Sequence, residues 1–148
     1  MGAIAAAVVF AWLGMVLAIS FIEAPLKFQA PGITLQLGLG IGRLVFRALN
    51  AVEIALASLV MLAVAVDPPG PVPLTALGVA VTVLIVQSVL VRPRLRRRSD
   101  AVLAATVEPA GGMLERSHAH YAYAGLEVVK VAALLAAGIT LQAGSVAG

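Results

Sequence analysis

The first 22 residues of the chain contain no charged side chain. A helix of about 20 mostly apolar residues is what crosses the hydrocarbon core of a bilayer, and few other structures accept such a run. Three further segments repeat the pattern once a few polar residues are admitted. Residues 44–66 include Arg47, Asn50 and Glu53, residues 74–91 include Gln87 and Ser88, and residues 119–142 include Glu127 and Lys130. Of the 148 residues, 61% are hydrophobic and 11% charged. Soluble domains run nearer half apolar and a quarter charged, so an ordinary globular protein is excluded. Disorder is excluded by the same apolar fraction. The expected fold is an all-α integral membrane protein, four transmembrane helices in an antiparallel bundle forming a single membrane domain. Its spans are expected at about 3–22, 44–66, 74–91 and 119–142. A secretory signal has a basic leader and a shorter apolar core, so residues 1–22 are expected to stay as a span. The chain has no Cys, which removes disulfides, iron–sulfur clusters and thiol catalysis from consideration.

Charge placement orients the spans. Lys27, Arg43 and Arg47 flank the connection 23–43, and Arg92, Arg94, Arg96, Arg97, Arg98 and Arg116 lie in the connection 92–117, which makes nine of the ten basic residues. The third connection, 67–73, reads DPPGPVP, a tight breaker with Asp67 as its only charge. The positive-inside rule then makes 23–43 and 92–117 cytoplasmic and leaves both termini outside, in what is expected to be a bacterial plasma membrane. The basic residues border the bilayer, so anionic lipid headgroups and not nucleic acid are the expected partner. Arg43, Arg94, Arg96, Arg97 and Arg98 are the candidate headgroup contacts. Residues 100–107 can form a short interfacial helix held by the same arginines.

Small residues recur on the first span at Ala7, Ala11, Gly14 and Ala18. Such a stripe lets helix backbones approach closely in lipid, and its partner is either another span or a second copy of the chain. Ala133 and Ala137 supply a shorter version on the last span.

Ionisable residues inside spans are costly and are functional candidates by default. On the last span Arg116, His120, Tyr123, Glu127 and Lys130 recur at spacings of 4, 3, 4 and 3, one face of one helix. Arg43, Arg47 and Asn50 share a face of the second span, and Glu53 follows three residues on. Ser20, Glu23 and Lys27 make a comparable stripe on the first span, and Gln87 lies in the matching half of the third. Glu53 and Glu127 are expected on the order of 10–15 Å below the cytoplasmic interface, from the rise of a helix. Carboxylates at that depth must be paired or neutral. The expected arrangement is a cytoplasm-facing polar pocket built from Asn50, Glu53, Gln87, His120, Tyr123, Glu127 and Lys130. The plainer alternative is that Glu127 and Lys130 form an intrahelical pair and the polar contacts only fix helix register. Taken alone, Lys130 is expected to snorkel to the interface.

His118 and His120 invite a metal, with Glu115 or Glu53 as a further ligand, but two imidazoles two residues apart on a helix diverge. A structural or interfacial role is the better reading of the pair. The run Gly38-Leu-Gly-Ile-Gly-Arg43 fails the G-x-G-x-x-G pattern at its last position and lacks a preceding strand. It reads as close packing at a helix start, with a lipid phosphate on Arg43 as the alternative. No cofactor is expected and no catalytic set stands out.

Trp12-Leu-Gly14, then Phe21, Ala24-Pro25 and Phe28, follow the pattern W-x-G … F-x-x-A-P-x-x-F. Together with Gly42-Arg43-Leu-Val-Phe46, Asn50 and Glu53, and with His118 or His120 ahead of Glu127, this resembles a family of small four-helix membrane proteins of unassigned function. That family is similar to a human transmembrane protein associated with cisplatin resistance. The connection 92–117 is longer than the family's, and the two histidines depart from it. The resemblance implies four spans and supplies no reaction. Ion, proton or small-solute transport through the polar pocket is the expected function. The competing expectation is a non-catalytic accessory or assembly subunit, either a homo-oligomer or part of a larger membrane complex.

Overall fold

The computed structural model describes residues 2–104 and 118–147, the side chains of residues 98, 99, 102, 103, 118–120 and 147 excepted. All regular structure among these residues is helical. Four stretches, Gly2–Gln29, Leu35–Val66, Pro71–Arg97 and Tyr121–Val146, are long and apolar enough to cross a membrane, which points to a membrane location.

The first span is α1 (Gly2–Val16), a π-helical stretch Leu17–Glu23, the short α2 (Ala24–Leu26) and a 3-10 turn Lys27–Gln29. The second is one helix, α3 (Leu35–Val66). The third combines α4 (Pro71–Val86), a second π-helical stretch Gln87–Val91 and α5 (Arg92–Ala104), and the fourth lies within α6 (His118–Ala147). Both π stretches have the same local cause. Pro25 and Pro93 each stand two residues past a π stretch. A proline inside a helix lacks an amide hydrogen, and its ring presses on the carbonyl four residues back. Widening the turn relieves that clash. The wide register closes on Ala24 N–H bonded to Ile19 O and on Arg92 N–H bonded to Gln87 O.

Two helices run beyond the limits expected from hydropathy. The glycine segment 38–42 lies inside α3 and not in a connection, because Thr34 caps the helix by accepting from Leu37 N–H at 3.1 Å. Ala30-Pro31-Gly32-Ile33 turns the chain just before it, with Gly32 at φ 78° and Ile33 N–H on Ala30 O at 3.2 Å. Pro followed by a left-handed Gly is the type II signature. Gly42 then leaves room for Lys27, whose Nζ would lie 2.8 Å from an added Cβ. The third span likewise continues as helix through the Arg-rich segment to Ala104, where a connection was expected. Of the expected interfacial helix 100–107, residues 105–107 lie outside the described residues.

α6 packs against both α1 and α4, and α3 packs on α1, whereas α3 and α4 touch little despite their short connection. The core contains Val9, Trp12, Val16, Val60, Leu77, Ala80, Leu134 and Ala137. The small-residue stripe is turned away from it: Ala7, Ala11, Gly14 and Ala18 are all exposed on the outside of the bundle. The opposite face of α1, with Val9, Trp12, Leu13 and Val16, carries the larger side chains and is the buried one. Another span of this chain is therefore not the partner of the stripe. Ala133 and Ala137, by contrast, are buried.

At the α1–α6 contact a Cβ on Gly138 would stand 2.8 Å from the Phe10 ring. Gly138→Leu is expected to lower stability by about 1–3 kcal/mol through overpacking. Thermal unfolding in detergent measures it, and a Phe10→Ala background should return most of the loss.

Candidate functional site

One side of the bundle interior is polar. Glu53, Gln87 and Lys130 are 0% exposed and Glu127 is 1% exposed. They belong to the second, third and fourth spans and meet by direct contact. The Lys130 ammonium bonds to Glu53 Oε1, to Gln87 Oε1 at 3.0 Å and to Glu127 Oε2 at 3.1 Å. An ammonium has three hydrogens, and here each has an acceptor from a different residue. Lys130 therefore does not snorkel. With two carboxylates inside the bundle, extending to the interface would strip both of their shared cation.

The carboxylates are held differently. Glu53 Oε1 also accepts from Trp12 Nε1 at 3.1 Å, and its Oε2 accepts from Arg92 Nη2 at 3.2 Å. Glu127 Oε1 accepts from the Ser20 hydroxyl at 2.6 Å, and its Oε2 accepts from Gln87 Nε2 at 2.6 Å. Glu53 thus faces two cations and an indole, while Glu127 faces one shared cation and two neutral donors. Gln87 links Lys130 to Glu127 through its two ends, which fixes its amide orientation. The four charges balance, two carboxylates against Lys130 and Arg92, and that balance is what makes their burial tolerable. The π stretches matter here, because Ser20 and Gln87 lie on them and donate to the same carboxylate.

The remaining sequence candidates lie around this cluster. Asn50 is half-buried and accepts from the Ser88 hydroxyl at 2.8 Å. Tyr123 offers its carbonyl to Gln87 Nε2 at 3.5 Å, and its ring meets Phe46 edge-on with centroids 6.0 Å apart. Among the described residues, the Tyr123 hydroxyl and Arg92 Nε are buried without a hydrogen-bond partner. The His120 side chain lies outside the described residues, as do those of His118 and Arg98. Among the headgroup candidates Arg94, Arg96 and Arg97 are exposed, and Arg43 pairs with Asp100 at 2.6 Å. Among the described residues no three His, Cys, Asp or Glu side chains converge as a metal centre requires.

Three members of the cluster were not among the pocket residues expected from sequence. Trp12 had a usable signal, since a lone tryptophan in an apolar span needs a partner for its indole N–H once buried. Ser20 shared a stripe with Glu23 and Lys27 but nothing marked it as a ligand of Glu127. Arg92 is indistinguishable by type from the arginines that follow it. Only the unbroken helix from Gln87 carries it inward to Glu53.

At the other end of the bundle a cavity of about 440 Å³ is lined by Gly2, Ala63, Asp67, Pro73, Thr140 and Ser145, among others. Val9, Val60, Leu77 and Leu134, all 0–1% exposed, lie between it and the charges along their helices. No protein-family model, curated protein or solved structure matches this chain.

Removing Lys130 leaves two buried carboxylates against one cation. Lys130→Met is expected to cost about 3–5 kcal/mol, as breaking buried pairs does. Adding Glu127→Gln should recover part of that, because the orphaned charge goes with it. Trp12 is the only tryptophan, so its emission during unfolding reads both variants.

Proposed function

We propose that this is a small integral membrane protein that moves a proton, an ion or a small solute by way of its buried charge network. The observation that carries the reading is Lys130, fully buried and shared between Glu53 of α3 and Glu127 one turn back on its own helix. Well-packed apolar residues stabilise a bundle at least as well as a buried ion pair, so stability alone does not account for four charges in lipid. Glu53, fastened by Lys130 and Arg92, serves as the standing counter-ion. Glu127, whose other donors are neutral, is the carboxylate that takes up and releases the cargo proton or cation. The apolar layer of Val9, Val60, Leu77 and Leu134 closes the path toward the cavity at Asp67, so transport requires the helices to part there.

In the same reading the bundle is antiparallel, with both termini outside and the arginine-rich helix in the cytoplasm of a bacterial cell. The chain lacks Cys, which makes the orientation simple to test. Cysteine placed at Gly70 should react with an impermeant reagent from outside, and cysteine at Ala101 should not. The opposite labelling would reverse the orientation. Membership in the small four-helix family is proposed as well. It gains support from the 3.1 Å bond joining two of the residues that carry the resemblance, Trp12 and Glu53.

Flux tests the function itself. Glu127→Gln keeps size and hydrogen bonding while removing the charge. In proteoliposomes under imposed proton and cation gradients it should keep its fold, at lower stability because the buried cations lose one counter-charge, and lose flux by roughly 100-fold. Wild-type vesicles silent for protons, common cations and small anions would sink transport. The accessory-subunit reading has one observation in its favour, the outward-facing stripe Ala7, Ala11, Gly14 and Ala18. Silent vesicles together with a stoichiometric co-purifying membrane protein would select it.

A further inference from the structure

Two ties set α5 against α3 at the arginine-rich end of the bundle. Arg43 meets Asp100 at 2.6 Å, while Arg92 donates through Nη1 to Phe46 O at 3.4 Å and through Nη2 to Glu53 Oε2 at 3.2 Å. Both stretches are regular α-helix, in which residues four apart stand one turn along the same face. Arg96 is midway between Arg92 and Asp100, so it lies on the face of α5 that carries both ties. On α3, Arg47 is one turn on from Arg43, toward Glu53. The two arginines therefore enter the same stretch of the α3–α5 seam, each about 6 Å along its helix from the Arg43–Asp100 pair. Both are exposed, and among the described residues neither has an ion pair or a hydrogen bond. The acids of the seam are already held, Asp100 by Arg43 and Glu53 by Lys130 and Arg92. Two like charges at one seam repel, and an anion between them turns the repulsion into attraction.

We infer that Arg47 and Arg96 together clamp the phosphate of one anionic phospholipid. Two guanidinium forks can each give paired N–H groups to a phosphate, which a single arginine of the exposed row cannot match. The surroundings favour a lipid over a free phosphate ester. Ala51 and Ile54, four and seven residues on from Arg47, share its face and are exposed, so an acyl chain can lie along them from the phosphate toward the middle of the bilayer. The exposed Arg94 and Arg97 on the same helix as Arg96 repel a headgroup ammonium, which selects phosphatidylglycerol over phosphatidylethanolamine. Arg43, the headgroup contact expected on α3, is held by Asp100 and serves to set the seam. The site is independent of whether the bundle transports anything.

Native mass spectrometry of the full chain in detergent, offered phosphatidylglycerol, tests the clamp. Wild type should retain one such lipid per chain and hold phosphatidylethanolamine less tightly. Arg47→Gln and Arg96→Gln should each weaken retention by about tenfold or more, the scale of losing a charge-assisted contact. The paired change Arg94→Gln with Arg97→Gln should alter it little. No retained lipid in wild type, or equal losses from the two pairs of arginines, overturns the site in favour of general surface charge. Glycerol 3-phosphate carries the same phosphate without acyl chains and should not compete. Competition at equal concentration would make a free phosphate ester the ligand and overturn the lipid assignment. Should a glutamine variant not fold, Arg47→Lys and Arg96→Lys decide the matter. They keep the charge and lose the fork, so weaker retention supports the clamp and unchanged retention in both overturns it.

Discussion

The Lys130 ammonium is the contact on which the rest of the bundle depends. Its three acceptors come from Glu53, Gln87 and Glu127, and those residues reach on to Trp12, Ser20 and Arg92. All four spans are therefore tied into one set of bonds. Apolar packing could not do this alone, because in a membrane the alternative neighbour of a leucine is a lipid chain just as apolar. Displacing any one span leaves a charge or a polar donor without its partner in a medium where that is costly. The helix contacts follow from this constraint. α6, which carries Lys130 and Glu127, packs against both α1 and α4.

What hydropathy reveals and what it hides have separate physical origins. The four apolar helices are legible because lipid demands about 20 apolar residues of each. The helix limits are less so. Gly38, Gly42 and the arginines of α5 read as breakers or loop, yet the glycines admit Phe28 and Lys27, and Pro93 is absorbed by a π turn. Glu53, Gln87, Glu127 and Lys130 were recognisable as polar groups on apolar faces, and they are bonded to one another. Their exact partners were not recognisable, since a heptad-like spacing places residues on a face without saying what it meets. Lys130 shows the difference. Taken alone it suggested snorkelling to the interface, and only the two carboxylates, Glu53 from α3 and Glu127 from its own helix, keep it in. The stripe of Ala7, Ala11, Gly14 and Ala18 misleads in the opposite sense, because a small face can pack closely but a face with Trp12 has more to bury.

The two carboxylates show how one environment yields unlike sites. Glu53 is surrounded by groups that carry fixed positive charge or a rigid indole. Glu127 leans on a hydroxyl and an amide, both of which can reorient, and a hydroxyl can accept as readily as it donates. The neutrality of the whole set keeps it inside the bundle, while the inequality between its acids leaves Glu127 held by one cation where Glu53 is held by two.

The prolines at 25 and 93 carry a consequence for how the molecule can move. Each divides its span into two rods joined at a widened turn, and a rod can tilt about such a joint without tearing a regular ladder of bonds. Ser20 sits on one joint and Gln87 on the other, and both grip the same carboxylate. A bend at either joint is thus felt at Glu127, and the state of Glu127 bears on both joints at once. The carboxylate acts as a clasp between two articulated struts, and opening the clasp frees the two to swing together.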